Sequence, residues 1–171
     1  MKFCYAHPRQ KRGDSVMHEL YGEVPNGEAV LFYAGEPGYF MSNFSAFRVI
    51  VWGVDFDTSE HAYHYGKFDK VDIKEQIATA RSAHFALKLA HQYRDQRRLD
   101  CDEVYKLRIM SEVVRAKHDQ HEYIQRKLKA TGDAWLIENS PTDAFWGRGP
   151  DWRGRNELGK IWMKVRAEAN A

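Results

Sequence analysis

The sequence predicts an α+β fold that is predominantly helical, with a small antiparallel sheet near the amino terminus. Two observations predict it: β-branched and aromatic segments lie before residue 57, and apolar residues recur at helical spacing after residue 58. With 171 residues and no long polar or apolar run, the chain has material for one compact core. We expect one domain over residues 29–171, preceded by an arm over residues 1–28.

Three segments favour strands. Residues 30–33 and 47–52 are rich in β-branched and aromatic side chains. Gly53 then allows a tight reversal into a third short segment, residues 54–56. Together these segments predict the antiparallel sheet.

The remainder is predicted to be helical, because its apolar residues follow the helical period. The expected helices cover residues 59–69, 73–80, 82–93, 102–130 and 157–168. The fourth pattern is the longest and stops at Thr131-Gly132. The last helix places its apolar residues on one face, with charged residues outside them.

Charge and composition narrow the classes of function. The chain has 26 basic and 24 acidic residues, a net charge of +2, whereas domains that bind duplex nucleic acid usually carry a strongly basic surface. Any nucleic-acid contact must therefore be local. No apolar run approaches the roughly 20 residues that cross a bilayer, and residues 1–12 lack a signal-peptide core. We therefore expect a cytoplasmic protein without membrane association. The basic run from Arg94 to Arg98 is expected to be a solvated helix end.

Residues 57–68 place an acid and an amine on one face of a predicted helix. Glu60 and Lys67 are seven residues apart, a spacing that aligns side chains along a helix. There are structural alternatives for both. Glu60 would complete a capping box if Asp57 were the N-cap, and Lys67 would be an exposed lysine that pairs with Glu60 or with no residue.

Histidines three residues apart occur twice in the predicted helices. His61 and His64 form one pair, and His118 and His121 form the other. Metal sites use this spacing, but neighbouring carboxylates complete no recognisable zinc signature. We expect no metal and no cofactor. His61 is expected to orient the helix start by hydrogen bonding.

A loop over residues 143–156 combines glycines, three arginines and two tryptophans, and it ends at a helix amino terminus. Glycines let a backbone approach a ligand, arginines match phosphate oxygens, and a helix start offers unpaired N–H groups to an anion. A Trp face could stack on a base for roughly 1–3 kcal/mol. The alternative is a surface loop with its tryptophans in the core, in which Asp143 begins a turn.

Six short motifs follow one another along the chain: Phe32-Tyr33, Ser42-Asn43-Phe44, Thr58-Ser59-Glu60-His61, Lys67-Phe68, Asp143-Ala144-Phe145-Trp146-Gly147 and Asn156-x-Leu158-Gly159. Their order and spacing, over about residues 31–166, resemble those of the YbiA-like, or NADAR, family. The resemblance implies hydrolysis of N-glycosidic bonds, either in ADP-ribosylated guanine or in ribosylated intermediates of the riboflavin pathway. Both substrates join an exocyclic amine to C1 of a phosphorylated ribose.

The chemistry of that bond assigns roles to the matched residues. Cleavage builds positive charge at C1, so a carboxylate would stabilise it or activate water, and Glu60 and Asp143 are the candidates. The leaving amine needs a proton, and a ring-opened imine can be attacked by an uncharged lysine. Lys67 suits either role. We expect these three groups to share one cavity.

The resemblance also places Asn43 and Phe44 against the ribose or base. The loop, which is longer and richer in arginine than the family pattern, supplies the other candidates for binding: Trp146, Gly147, Arg148, Arg153, Arg155 and Asn156. ADP-ribosylated guanine, as nucleotide or in DNA, is the preferred substrate because the loop arginines suit a pyrophosphate. A ribosylated pyrimidine phosphate is the first alternative, and a non-catalytic ADP-ribose or NAD-binding module is the second. If the protein removes ADP-ribose from guanine, we expect it to act together with an ADP-ribosyltransferase that adds it.

Overall fold

The computed structural model describes residues 29–170, in which six α-helices and four short strands are found. The predicted arm, residues 1–28, lies outside the described residues. Two compact units make up the described chain. One contains the residues up to Ser42 together with those from Arg126 onward, and the other is Asn43–Gln125. The predominantly helical α+β class is confirmed.

The unit Asn43–Gln125 begins with a β-hairpin. Strands β2 (Val49–Val51) and β3 (Val54–Phe56) pair antiparallel, with Val49 opposite Phe56. The connecting residues Trp52 and Gly53 both have positive φ, 54° and 73°. Two-residue turns of this kind match the twist of the flanking strands, so the predicted reversal at Gly53 is confirmed.

Helices build the rest of this unit. They are α1 (Ser59–Tyr65), α2 (Val71–Ala78), α3 (Ala83–Gln92), α4 (Glu103–Gln120) and the start of α5 (Glu122–Lys129). Ser82 and Asp102 cap α3 and α4, because their side-chain oxygens accept backbone N–H groups of the first turn. One buried cluster joins the hairpin to α1 and α4, and a second lies among α2, α3 and the residues that follow α1.

Two helix predictions in this unit need correction. The first helix ends at Tyr65 rather than at residue 69, since Gly66 caps it. The long pattern over residues 102–130 forms two helices, because His121 is extended, with φ −131° and ψ 103°. The His121 ring Nε2 lies 2.6 Å from the carbonyl oxygen of Arg48, and this tertiary contact interrupts the local helical pattern.

The other unit contains a parallel strand pair. Strand β1 (Ala29–Phe32) pairs with β4 (Trp135–Glu138) in a register that places Ala29 opposite Trp135. The prediction that the first strand joins an antiparallel sheet is therefore wrong, and β4 was not predicted. Its partner lies about 100 residues away in sequence, a separation that a local pattern does not encode.

Helix α6 (Glu157–Ala169) packs against β4. Trp162 of α6 is fully buried and donates its indole N–H to the carbonyl oxygen of Met41 at 2.9 Å. A Cβ on Gly159 would lie 2.1 Å from the carbonyl oxygen of Leu136, so only glycine permits this close approach of helix and strand. Within residues 29–170, the helices are too short or too polar to cross a membrane.

Candidate active site

Helix α1 begins at Ser59, with Thr58 as its N-cap residue. Asp57 is exposed and is not the N-cap residue, so the structural alternative in which Glu60 completes a capping box with Asp57 is wrong. Instead, the His61 ring bridges two groups: its Nδ1 is 2.8 Å from the Thr58 hydroxyl and its Nε2 is 2.9 Å from the Ala80 carbonyl oxygen. The carbonyl can only accept, so Nε2–H donates to it, and in the neutral ring Nδ1 then accepts from the Thr58 hydroxyl. The prediction that His61 orients the helix start is confirmed.

Glu60 is buried in the first turn of α1. Its side chain is bonded to His64, with 2.7 Å between Oε1 and the ring Nε2, and its backbone N–H donates to the carbonyl oxygen of Asn43 at 3.0 Å. Burial lowers the pKa of His64, although Glu60 opposes this effect. A neutral ring that donates Nε2–H to a carboxylate has an unprotonated Nδ1. That Nδ1 is buried, with no hydrogen-bond partner within the described residues.

Lys67 lies two residues beyond α1, where its backbone N–H donates to the carbonyl oxygen of His64 at 3.2 Å. Its side chain is only 5% exposed, so the interpretation of Lys67 as an exposed lysine is wrong. Burial, with a smaller contribution from Arg97, lowers the pKa of Lys67 to about 7, while Glu60 opposes the shift. The ammonium group lies 4.5 Å from the centroid of the Tyr63 ring, a favourable cation–π contact.

Asn43 and Phe44 precede the hairpin. Asn43 is 7% exposed, and its Nδ2 donates a weak hydrogen bond to the sulfur of Met110 at 3.4 Å. Its Oδ1 is buried and meets no donor among residues 29–170. The same holds for the hydroxyl of Ser59. Phe44 is 38% exposed. Buried polar atoms without partners are uncommon in folded proteins, so their presence around Glu60 makes this region the candidate site for a polar ligand.

This arrangement can handle protons at near-neutral pH. A lysine with a pKa of about 7 is present in comparable amounts as ammonium and as amine, so it can donate a proton or attack a carbon. The neighbouring Glu60 carboxylate can accept a proton from water. Both functions lie within the unit Asn43–Gln125.

In the other unit, Asp143 begins a turn. Its Oδ1 accepts the backbone N–H groups of Phe145 and Trp146, each at 2.8 Å. The alternative in which Asp143 begins a turn is therefore confirmed, and this turn uses one of its two carboxylate oxygens. A catalytic role for Asp143, and its convergence with Glu60, stay predictions.

The start of α6 differs from the prediction. The backbone N–H groups of Asn156, Glu157 and Leu158 donate to carbonyl oxygens of the preceding loop at 3.1 to 3.2 Å. The prediction that this helix start offers unpaired N–H groups to an anion is therefore wrong for these three. The loop itself caps the helix.

Asn156 is completely buried, with φ of 51°. Its Oδ1 accepts the backbone N–H of Glu138, and its Nδ2 donates to the carbonyl oxygen of Leu136, both at 2.9 Å. Both polar atoms thus hold strand β4. This geometry favours a structural role for Asn156 over the predicted role in binding.

The glycines of the loop make close contacts with protein backbone. A Cβ on Gly147 would lie 2.8 Å from the carbonyl oxygen of Glu138, and one on Gly154 would lie 2.2 Å from that of Gly147. These glycines let the loop fold tightly on itself and on β4. These backbone contacts explain why glycine occupies both positions, without the bound ligand that the sequence pattern suggested.

The loop arginines differ from one another. Arg148 bonds to the Asn139 side chain, and its guanidinium lies 4.3 Å from the centroid of the Trp152 ring. Arg155 bonds to Glu157 at 3.0 Å. Arg153 is exposed, and its backbone N–H donates to the Asp151 carboxylate at 3.0 Å.

The aromatic residues of the loop pack on one another. Trp146 is half-buried and meets Phe145 edge to face, with 4.7 Å between ring centroids. The guanidinium of Arg155 also lies over Phe145, 4.7 Å from its centroid. Stacking of a base on Trp146 stays a prediction.

A family model described as the NADAR domain matches residues 31–170. The chain belongs to the NADAR family. A riboflavin biosynthesis protein of Vibrio vulnificus is 38% identical over 142 residues, which are 82% of this chain and 38% of that protein. N-glycosidase YbiA of Escherichia coli is 30% identical over 158 residues, 92% of this chain and 95% of the relative. An N-glycosidase of Nostoc punctiforme is 38% identical over 143 residues, 81% of this chain and 91% of the relative.

A solved structure agrees with the family assignment. The NMR structure of Escherichia coli YbiA superposes with a TM-score of 0.75 at 31% sequence identity, covering 82% of this chain and 83% of that one. The resemblance to the YbiA-like, or NADAR, family is therefore confirmed, and so is the fold that it implies.

The sequence did not indicate that Arg97 lies near the candidate site of this NADAR domain. It belongs to the segment predicted as a solvated helix end, yet it is half-buried and its positive charge acts on Lys67. The next residue, Arg98, donates its backbone N–H to the carbonyl oxygen of Lys67 at 3.1 Å. This contact joins residues about 30 positions apart, so no local signal identifies it.

Proposed function

We propose that this protein hydrolyses the N-glycosidic bond between an exocyclic amine of a base and C1 of a phosphorylated ribose, and that its substrate is ADP-ribosylated guanine. The observation that carries the proposal is the buried pair of Glu60 and Lys67, with the pKa of Lys67 lowered to about 7. Both residues lie in segments that resemble NADAR motifs. Relatives named N-glycosidases support the reaction class.

In a direct route, Lys67 acts as the acid and Glu60 as the base. The Lys67 ammonium gives a proton to the leaving amine as the C1–N bond breaks, and Glu60 takes a proton from the water that bonds to C1. The products are the free base and the hydroxyl form of the sugar. Transfer of the proton from Glu60 to Lys67 restores both groups.

In a second route, the sugar ring opens and leaves an imine at C1. The neutral amine of Lys67 adds to C1 and expels the amine of the base, so that an imine to Lys67 replaces the original bond. Water then hydrolyses this imine and releases the sugar. Borohydride added during turnover distinguishes the routes, because it reduces the lysine imine to a stable secondary amine on Lys67.

Two observations bear on the group beyond the ribose. The loop offers the exposed Arg153 and the partly exposed Arg155, whose charges suit a pyrophosphate or a nucleic-acid backbone. This supports ADP-ribosylated guanine. A second candidate is a ribosylated pyrimidine phosphate, because the Vibrio vulnificus relative is named a riboflavin biosynthesis protein.

A direct comparison of rates tests the proposal. We expect kcat/KM on guanine-linked ADP-ribose to exceed that on a ribosylaminopyrimidine phosphate by about tenfold or more, the discrimination available from about 1.4 kcal/mol of added contacts. Heat-denatured protein supplies the background rate. The opposite ratio would favour the second candidate. Binding of ADP-ribose without turnover of either compound would instead indicate a non-catalytic module.

A further inference from the structure

The run from Arg94 to Arg98 contains three arginines whose surroundings differ. Arg94 pairs with Asp95 at 3.6 Å, and Arg98 pairs with Asp100 and also with Asp69. Arg97 has no ion pair with any residue in the described part of the chain, and its Nε is buried without a hydrogen-bond acceptor there. One arginine of the three thus lacks the acid that each of the others has.

The neighbour of Arg97 is another cation. The segment is held beside Lys67 by the backbone hydrogen bond from Arg98, and the charge of Arg97 disfavours the ammonium form of Lys67. Two neighbouring cations, one of them buried, destabilise a folded protein unless an anion lies between or beside them. Glu60 is the acid that opposes this effect on Lys67, but it is already bonded to His64.

The other unpartnered atoms around α1 include acceptors. Asn43 Oδ1 and His64 Nδ1 accept hydrogen bonds and the Ser59 hydroxyl accepts or donates, whereas Arg97 Nε donates. A ribose that carries a phosphate matches this set, because its hydroxyl groups donate hydrogen bonds and its phosphate oxygens accept them. The guanidinium fork also suits two phosphate oxygens at once.

We propose that Arg97 binds the phosphate on C5 of the ribose whose C1 is attacked. The inference rests on the proposed function, since it assumes that the reacting ribose lies at Glu60 and Lys67. It applies to both candidate substrates, because each carries a phosphate at this position. It makes Arg97 a specificity-determining residue that separates phosphorylated ribosides from plain nucleosides.

The first test compares Arg97→Gln with Arg94→Gln, a matched variant of an exposed arginine in the same run. The substrates are a ribosylaminopyrimidine 5′-phosphate and the same compound without its phosphate. We expect Arg97→Gln to raise KM for the phosphorylated compound about 30-fold. The kcat for this compound and the kcat/KM for the dephosphorylated one should change less than about threefold, because burial rather than Arg97 is the main cause of the lowered pKa of Lys67. Arg97→Lys should recover part of the loss, because it keeps the charge without the fork.

A binding measurement separates this inference from the proposed function. Calorimetric titration of ribose 5-phosphate, with ribose as the comparison, needs no turnover. We expect the phosphate to improve affinity in the wild-type protein and in Arg94→Gln, and the improvement to be lost in Arg97→Gln at an unchanged melting temperature. Equal affinity of wild type and Arg97→Gln for ribose 5-phosphate would overturn the inference. So would an equal loss of activity on both substrates, which would mean that Arg97 acts through Lys67.

Discussion

The region around α1 and the loop from Asn139 to Asn156 use their polar groups in different ways. Around α1, acceptor and donor atoms of Asn43, His64 and Arg97 are buried without partners among residues 29–170. In the loop, the side chain of Asn156 and the amides at the start of α6 are bonded within the protein. Buried polar groups that are satisfied stabilise a fold, whereas unsatisfied ones destabilise it unless a ligand binds them. The unsatisfied groups support the proposed chemistry around α1, and the satisfied ones favour a structural role for the core of the loop.

Lys67→Met gives the largest expected effect. The variant removes the proton donor or nucleophile, so kcat should fall by about 10³-fold or more. Its free energy of unfolding at pH 7 should be unchanged or higher, because methionine fills a similar volume without a buried amine. Chemical denaturation and steady-state kinetics check both expectations. Wild-type activity would contradict a role for Lys67 in the reaction, and a large loss of stability would place it with the structural residues.

Asn156→Ala tests the structural role of the loop. It leaves the backbone groups of Glu138 and Leu136 without partners and places alanine at a positive φ. We expect the free energy of unfolding to fall by about 2–4 kcal/mol, and kcat/KM per folded molecule to stay within about twofold of wild type. The exposed residue Asn170 provides a control, Asn170→Ala, with little effect on stability. A rise in KM without loss of stability would restore the predicted binding role.

The pH dependence of stability tests whether the pKa of Lys67 is lowered in the folded protein. The unfolded chain keeps the Lys67 proton up to a pKa near the ordinary 10.5, whereas the folded protein releases it near 7. The unfolded state therefore binds more protons between these values, so stability should rise with pH, by about 1.4 kcal/mol per unit from this group. Subtracting the curve of Lys67→Met isolates the contribution. A difference curve that is flat between pH 7.5 and 9.5 would show that the pKa of Lys67 is not lowered.

The sequence predicts well what depends on neighbours in the chain. The positions of α2, α3 and α6, the reversal at Gly53 and the role of His61 follow from local patterns and are confirmed. The pairing of β1 with β4 and the placement of Arg97 depend on contacts made across long separations, which local patterns do not contain.

The candidate site shows the same division. The motif resemblance identifies Glu60 and Lys67 as candidates. Only the tertiary structure shows that Lys67 is buried and that its pKa is therefore lowered. Glycine and asparagine, as at Gly147 and Asn156, occur both in loops that bind a ligand and in loops that pack tightly against the protein. Only the tertiary contacts show which kind of loop is present.

The Glu60→Gln variant separates binding from catalysis when ADP-ribose affinity is measured beside the single-turnover rate on guanine-linked ADP-ribose. Glutamine keeps the size and a hydrogen-bonding oxygen for His64 but cannot accept the proton from water. We expect an affinity within about threefold of wild type and a rate lower by about 10²-fold or more. A rate close to wild type, with ADP-ribose still bound, would show that the carboxylate of Glu60 has no part in the reaction, against the proposed function.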